Sequence, residues 1–350
     1  GNGGTDTGLL DITIVAVNDA PLATDDSFAG SEDSLISGNV LSNDSDIDGD
    51  ALSVTGFIFN GQVAVFDPAI GGTVTVAGVG TLVMTPAGAF TFTPLANYNG
   101  NVPAITYTLS DGLLTDIANL SIILTGINDA PLVTDDPITT PEDTPISGNV
   151  LSNDSDLDLN VLTVTQFTIN GVSYNTGVTA NIPGVGTIVV NTDGSYTFAP
   201  ALNYNGIVTD ISYTANDANG GTDTGLIKIT VTPVNDAPYA TNDLAITSED
   251  VPVSGNVLIN DSDVDGNPIV VSAFAVDGQL IDVVSGTGGT ALIAGVGTIQ
   301  MNVNGSFIFT PLANYNGTVP SITYSIFDGE LPKPAILSII VSPVNDSPVA

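Results

Sequence analysis

The residues that could do chemistry in this 350-residue chain are almost all carboxylates. Their densest run is Asp44-Ser45-Asp46-Ile47-Asp48-Gly49-Asp50, which returns as Asp154-Ser155-Asp156-Leu157-Asp158 and as Asp261-Ser262-Asp263-Val264-Asp265-Gly266. A close carboxylate pair repels by about 1 kcal/mol in water and several times more at a partly buried site. Four acids in seven residues would therefore consume much of the ~5–15 kcal/mol that stabilises a domain. Either a cation neutralises them, or they form an exposed acidic turn kept for solubility. With no His or Cys in the chain, every available ligand is a hard oxygen, and the cation that fits is Ca²⁺, which takes six to eight such ligands at irregular angles. In a tight loop the first, third and fifth side chains converge on one point, while a glycine at the sixth allows the turn. The likeness to an EF-hand loop stops there. The twelfth position is Thr55, Thr165 or Ser272, no helices flank the loop, Leu159 replaces the glycine in the second copy, and Asn160 and Asn267 replace Asp50.

Composition excludes several functions. With 38 acids against 2 lysines and no arginine the formal charge is −36, so nucleic acid and anionic membranes are poor partners, and no membrane insertion is expected. Only 11 % of residues are charged and 43 % are hydrophobic, the balance of a folded chain and not of a disordered acidic tail. The absence of Cys, His, Trp and Arg removes disulfides, thiolate and zinc sites, the Ser-His-Asp mechanism and guanidinium clamps on phosphate. No apolar run approaches the ~20 residues needed to span a bilayer.

The positioning elements follow from self-comparison. Asn18-Asp19-Ala20-Pro21 returns at Asn128, at Asn235 and, as Asn345-Asp346-Ser347-Pro348, at the end, with periods of 110, 107 and 110 residues. Glu32-Asp33 returns as Glu142-Asp143 and Glu249-Asp250 in the same register, and Asn97-Tyr98-Asn99-Gly100 returns at Asn203 and Asn314. Three whole repeats occupy residues 18–127, 128–234 and 235–344, and residues 345–350 open the next connector. Residues 2–8 reproduce residues 219–225, so residues 1–17 read as the terminal strand region of a truncated upstream repeat in a longer chain, free to pair with a neighbour's sheet edge.

Within each repeat apolar residues alternate, as at Phe90 and Phe92, at Ile105, Tyr107 and Leu109, and at Leu120, Ile122 and Leu124. The 38 glycines and 21 prolines punctuate short segments, and no stretch carries a capped helical stripe. The expected fold class is all-β: a tandem array of Ig/cadherin-like β-sandwich domains, about seven strands each, end to end. Such a unit buries an adequate core without disulfides. The connectors carry proline and no Gly/Ser spacer, so they act as stiff joints. At about 35–45 Å per domain, three in line give a stalk.

The charge is local, since residues 18–50, 128–160 and 235–267 hold 9, 8 and 7 of the 38 acids. If strands run alternately up and down, the acidic loop after the second strand lies beside its own connector, and the sixth strand brings Asp111, Asp217 and Asp328 there. Glu32-Asp33 falls at the opposite end, against the next connector. One interdomain site thus draws on Glu142 and Asp143, on Asn235 and Asp236 of the connector, and on Asp243, Asp261, Asp263, Asp265 and Asp328 of the following repeat. The same register groups Glu32, Asp33, Asn128, Asp129, Asp135, Asp136, Asp154, Asp156, Asp158 and Asp217 at the preceding junction. It places Asp19, Asp25, Asp26, Asp44, Asp46, Asp48, Asp50 and Asp111 at the leading end of the first repeat, and Glu249 and Asp250 at the trailing end of the third.

These phrases resemble the cadherin-like tandem repeats, also known as bacterial Ig-like or tandem-95 repeats, of very large secreted bacterial adhesins. The resemblance covers residues 18–344 and rests on Asn-Asp-Ala-Pro, Glu-Asp and Asn-Asp-Ser-Asp-x-Asp at fixed offsets. It implies a calcium-bound sandwich, export by a type I route to the bacterial cell surface, and a role in adhesion or biofilm attachment. Glu142, Asn235, Asp236, Asp261 and Asp263 match the cadherin ligand pattern; the cadherin Asp-Arg-Glu phrase has no counterpart in a chain without arginine. The implied partners are neighbouring repeats of the same longer chain, with like chains or surface polysaccharide as further candidates.

Other signals read as structure. Asp6-Thr7-Gly8 and Asp223-Thr224-Gly225 resemble an aspartic-protease triplet, but both precede a repeat's last strand and the other repeats lack them. Gly78-Val79-Gly80-Thr81 and its copies read as hairpin turns, since no helix follows to complete a phosphate loop. Tyr98, Tyr204 and Tyr315 read as loop anchors more than sugar platforms. Asn43-Asp44-Ser45 is a formal sequon overlapping the acidic loop. A glycosidase would need a cleft with an elevated-pKa acid; acids confined to junctions argue against it, and no catalytic residue is assigned. The leading expectation is a calcium-rigidified spacer, with a carbohydrate-binding or homophilic adhesion module as the alternative.

Overall fold

A computed structural model describes residues 2–345, so most of the expected connector at 345–350 lies outside the described residues. The fold is all-β, with three successive sandwiches of paired sheets and no helix among the described residues. The chain divides into two compact units. One comprises Gly1–Val133, Asp154–Thr163 and Ala215–Asp223; the other comprises Thr134–Asn153, Val164–Thr214 and Thr224–Ala350.

The first repeat shows the plan. Its strands are β1 (Asp26–Ser31), β2 (Ile36–Asn39), β3 (Ser53–Phe59), β4 (Gln62–Val63), β5 (Val65–Asp67), β6 (Gly71–Val76), β7 (Gly80–Met84), β8 (Ala89–Pro94), β9 (Gly100–Asn101), β10 (Ile105–Ser110) and β11 (Thr115–Thr125). One sheet has the order β1-β11-β10-β3-β4, with β9 also on β11, and the other β2-β8-β7-β6-β5. The eleven-residue β11 alternates cleanly, turning Ala118, Leu120, Ile122 and Leu124 inward. It pairs antiparallel with β10, Ile105 opposite Leu120, and parallel with β1, from Asp26 opposite Leu120 to Ser31 opposite Thr125. Facing residues of the two sheets close the core, Phe59 meeting Phe92 edge to face at 6.0 Å.

The Gly78–Thr81 segment is a hairpin turn between β6 and β7, as expected. Gly80 is required there, because a Cβ would stand 2.4 Å from the Thr93 carbonyl oxygen. Of the eleven strands, β4, β5 and β9 are rim pieces of two or three residues, too short for alternation to reveal, and eight longer strands remain. The other two repeats keep the same sheet orders without a counterpart of β5. Residues 2–21 carry no strand, and Leu9, Leu10, Ile12 and Ile14 stand exposed.

Sheet assignment decides where acids go. β1 and β2 belong to opposite sheets, so the Glu32-Asp33 turn crosses one end of the sandwich while the loop after β2 returns to the other. That loop is tied to its connector by antiparallel bridges, Leu22 with Ser45, Leu132 with Ser155 and Tyr239 with Ser262.

Candidate metal centre

Each connector is stitched to the repeat that follows it by one recurring set of bonds. In the second repeat, Asn128 Nδ2 donates to Asp217 Oδ2 at 2.5 Å, and Asp129 N donates to Asp158 Oδ2 at 2.7 Å. Asp156 shapes the loop, its Oδ1 accepting from Asp158 N at 2.9 Å and Asn160 N at 3.1 Å. Alternate-residue spacing is thus the spacing of a side chain capping the amides two and four residues on.

From the other side comes Glu32, 1 % exposed. Its Oε1 accepts from Ile127 N at 2.5 Å and its Oε2 from Asn99 Nδ2 at 3.1 Å. Glu32, Asp129 and Asp158 each place a carboxylate oxygen within 4.8 Å of the others. Burial, then the charges of Asp158, Glu32, Asp33 and Asp156, push the Asp129 carboxyl up. Asp156 is 8 % exposed, and its Oδ2 is buried with no hydrogen-bond partner. A buried carboxylate oxygen left without a donor is costly.

The second junction repeats the geometry. Asn235 Nδ2 donates to Asp328 Oδ2 at 2.9 Å and Asp236 N to Asp265 Oδ2 at 2.8 Å. Asp265 N and Asn267 N donate to Asp263 Oδ1 at 3.0 and 3.1 Å. Glu142 is buried, accepting from Val234 N at 2.6 Å and Asn205 Nδ2 at 3.3 Å. Burial, then Asp265, Asp143, Glu142 and Asp263, raise the Asp236 carboxyl, and Asp236 Oδ2 and Asp263 Oδ2 are both buried without a partner. At the leading end of the first repeat Asp19 N donates to Asp48 Oδ2 at 2.8 Å, and Asp46 Oδ2 is likewise unpartnered. At the trailing end of the third, Glu249 accepts from Val344 N and Asn316 Nδ2. Convergent hard oxygens, raised carboxyls and unpartnered buried acceptors are a donor set that fits a divalent cation such as Ca²⁺.

Other acids named from the sequence have different settings. Asp111, Asp217 and Asp328 are satisfied by donors. Asp217 Oδ1 accepts from the amides of Asn219, Gly220 and Gly221, and the Asn128 side chain followed by these amides holds its carboxyl below the usual range. The amide of Leu114 first, then Asn18 and Leu113, lower Asp111, while the amide of Leu331 leads for Asp328. These three latch the connector asparagine. Asp33, Asp143 and Asp250 accept from Asn97 N, Asn203 N and Asn314 N and stay at the junction face. Asp25 and Asp135 lie on the sheet flank, Asp25 accepting from Asn119 and Asp135 forming an ion pair with Lys228 Nζ at 2.7 Å.

Asp26 and Asp44 turn inward onto a fully buried tyrosine. Tyr107 Oη lies 3.0 Å from Asp26 Oδ2, 3.2 Å from Asp44 Oδ2 and 3.2 Å from the carbonyls of Thr24 and Val40. Desolvation drives Asp26 up to about 6 against the lowering effect of this phenol, and it raises Asp44 as well. In the third repeat Tyr324 Oη lies 2.7 Å from Asp243 Oδ2 and 3.4 Å from Asp261 Oδ2. Asp136 and Asp154 hold the corresponding positions in the second repeat, whose Tyr213 donates toward the Val150 carbonyl.

Two contributors escape the sequence reading. The buried tyrosines look like ordinary alternating core positions, and Asn99, Asn205 and Asn316 sit inside a phrase read for its tyrosine. The fixed register between that phrase and Glu-Asp is the signal that ties Asn99 to Glu32. Tyr98, by contrast, anchors its loop as expected, donating to the Asn101 carbonyl at 2.9 Å.

Comparison with known proteins bears on the family and the fold. The family described as bacterial cadherin-like domain matches residues 18–126 and 235–343, and the bacterial Ig domain matches residues 128–230. The calcium-binding lectin RapA2 of Rhizobium johnstonii is 32 % identical over 213 residues, which cover 56 % of this chain and 89 % of that protein. Among solved structures, the extracellular cadherin domains 1-5 of protocadherin Gamma B2 align with a TM-score of 0.54 at 15 % identity, over 94 % of this chain and 61 % of that one. The human CDH23 EC21-23 fragment aligns with a TM-score of 0.53 at 12 % identity, over 92 % and 100 % of the two chains. On sequence, fold and repeat organisation, the chain belongs to the bacterial cadherin-like domain family, with a bacterial Ig domain as its middle repeat.

Proposed function

We propose that this chain is a calcium-rigidified spacer segment of a large extracellular adhesin or cell-surface filament, and not an enzyme. Residues 18–127, 128–234 and 235–344 act as its modules, and residues 1–17 as the terminal region of an upstream one, of which residues 2–17 form no strand on their own. Ca²⁺ would be held at the first junction by Glu32, Asp33, Asp129, Asp156 and Asp158, and at the second by Glu142, Asp143, Asp236, Asp263 and Asp265. A bound dication supplies the positive charge that these oxygens lack and ties two successive repeats to one point. The observation that carries this reading is the unpartnered Oδ2 of the buried Asp156, facing a neighbourhood rich in carboxylates.

A second reading, binding of surface carbohydrate, is favoured by the lectin relative. Small-angle scattering in millimolar Ca²⁺ and in chelator tests the spacer, with glycan-array binding measured in parallel. The expected result is a larger, better-defined maximum dimension with calcium and no retained glycan. An unchanged dimension would remove the spacer, and calcium-dependent glycan retention would favour the second reading.

A further inference from the structure

The three acidic loops do not share one residue at the position four beyond the capping aspartate, which is Asp50, Asn160 or Asn267. In the second repeat Asn160 Nδ2 donates to Asn128 Oδ1 at 3.0 Å, and in the third Asn267 Nδ2 donates to Asn235 Oδ1 at 2.6 Å. The first repeat has Asp50 there, on the same backbone path, since Asp50 N also donates to the loop's capping aspartate, Asp46, at 3.2 Å. A carboxylate has no proton to give, so Asp50 cannot make the corresponding bond to Asn18 Oδ1. The amide orientations are set by their partners. Asn128 Nδ2 and Asn235 Nδ2 are already committed to Asp217 and Asp328, which leaves Oδ1 of each to accept. Asn160 is held a second time, because Asn219 Nδ2 donates to its Oδ1 at 2.8 Å. Glu330 occupies the place of Asn219 in the third repeat and offers no such donor.

We infer that Asn160 and Asn267 are positioning residues whose amide N–H fixes the connector asparagine by a direct hydrogen bond, where an aspartate at the same position makes that contact depend on a cation. The connectors are therefore graded. The one led by Asn128 is latched most strongly without calcium, the one led by Asn235 next, and the one led by Asn18 has two facing acceptors. The inference rests on the junction reading for its cation half only; the hydrogen bond stands without it.

Amide hydrogen exchange of the full chain tests it, read at the Asp129 and Asp236 amides, with sheet amides reporting the fold. In chelator, Asn160→Asp and Asn160→Ala should both speed exchange at Asp129 by about five- to tenfold, the loss of one ordinary hydrogen bond, and leave Asp236 unchanged. Calcium should return Asn160→Asp to the unmodified rate and leave Asn160→Ala fast. Asn267→Asp should do the same at Asp236. Unchanged rates in chelator overturn the latch. Equal rescue of Asn160→Asp and Asn160→Ala by calcium overturns the role given to the carboxylate. Calcium without effect on any form, the unmodified chain included, overturns the junction reading while the chelator rates still decide the latch.

Discussion

Two carboxylate clusters grow from one loop in the first and third repeats and meet opposite fates. In the third repeat Asp261 turns inward to Tyr324, where it and Asp243 share a phenol with two backbone carbonyls, while Asp263 and Asp265 turn outward to the connector. The inner cluster shares one hydroxyl proton among several acceptors, the Thr241 amide also donates to Asp261 Oδ1 at 2.7 Å, and desolvation raises both carboxyls. The outer cluster lacks even that proton, and its Asp263 Oδ2 has no donor at all. Two residues of sequence separate a group that the fold satisfies from one that it leaves to the solution. On the proposed reading, the inner cluster is a folding device and the outer one an ion-responsive device.

Removing the tyrosine proton breaks the comparison most forcefully. Tyr324→Phe should destabilise the third repeat by about 2–3 kcal/mol, because two half-buried carboxylates lose their shared donor. Denaturant melts should show the same loss with and without calcium; a loss confined to calcium-loaded protein would mean that the inner cluster also depends on an ion. Asp156→Asn acts on the outer cluster and should cost about 1–2 kcal/mol in saturating calcium through weaker binding. In chelator the same change should be neutral or slightly stabilising, since it relieves repulsion at Asp129. Equal destabilisation in both conditions would make Asp156 a purely structural residue.

The smallest effect is on pH dependence. Asp26 has its carboxyl raised from 3.8 to about 6 in the folded chain, so folding is favoured by protonation. Its contribution is fully present below 3.8 and is lost as pH rises through about 6. In chelator the melting temperature of the first repeat should rise as pH falls across that window, and Asp26→Asn should flatten the rise. A flat profile in the unmodified chain would mean that burial does not raise the Asp26 carboxyl.

The outer cluster was legible because its geometry is local. Asp156 caps Asp158 N and Asn160 N, two and four residues on, so spacing alone encodes the loop. Strand direction then carried Glu32 to the next connector. The inner cluster was not legible, because Tyr107 meets Asp26 across 81 positions and Asp44 across 63, and its ring keeps the same alternation as its apolar neighbours. The Asn160 latch was visible only as a departure from an acidic pattern; its acceptor lies 32 positions away. The two-residue rim strands are invisible for a simpler reason, since two residues define no period.

The parallel pairing of β1 with β11 sets the mechanical behaviour of a repeat. Tension that draws the start of β1 and the end of β11 apart slides the two strands along each other. The pairs from Asp26–Leu120 to Ser31–Thr125 are then loaded in shear and must yield together, where an antiparallel pair pulled at its open end would unzip one rung at a time. In the proposed surface filament, such a repeat would act as a tether that holds its length up to a threshold force.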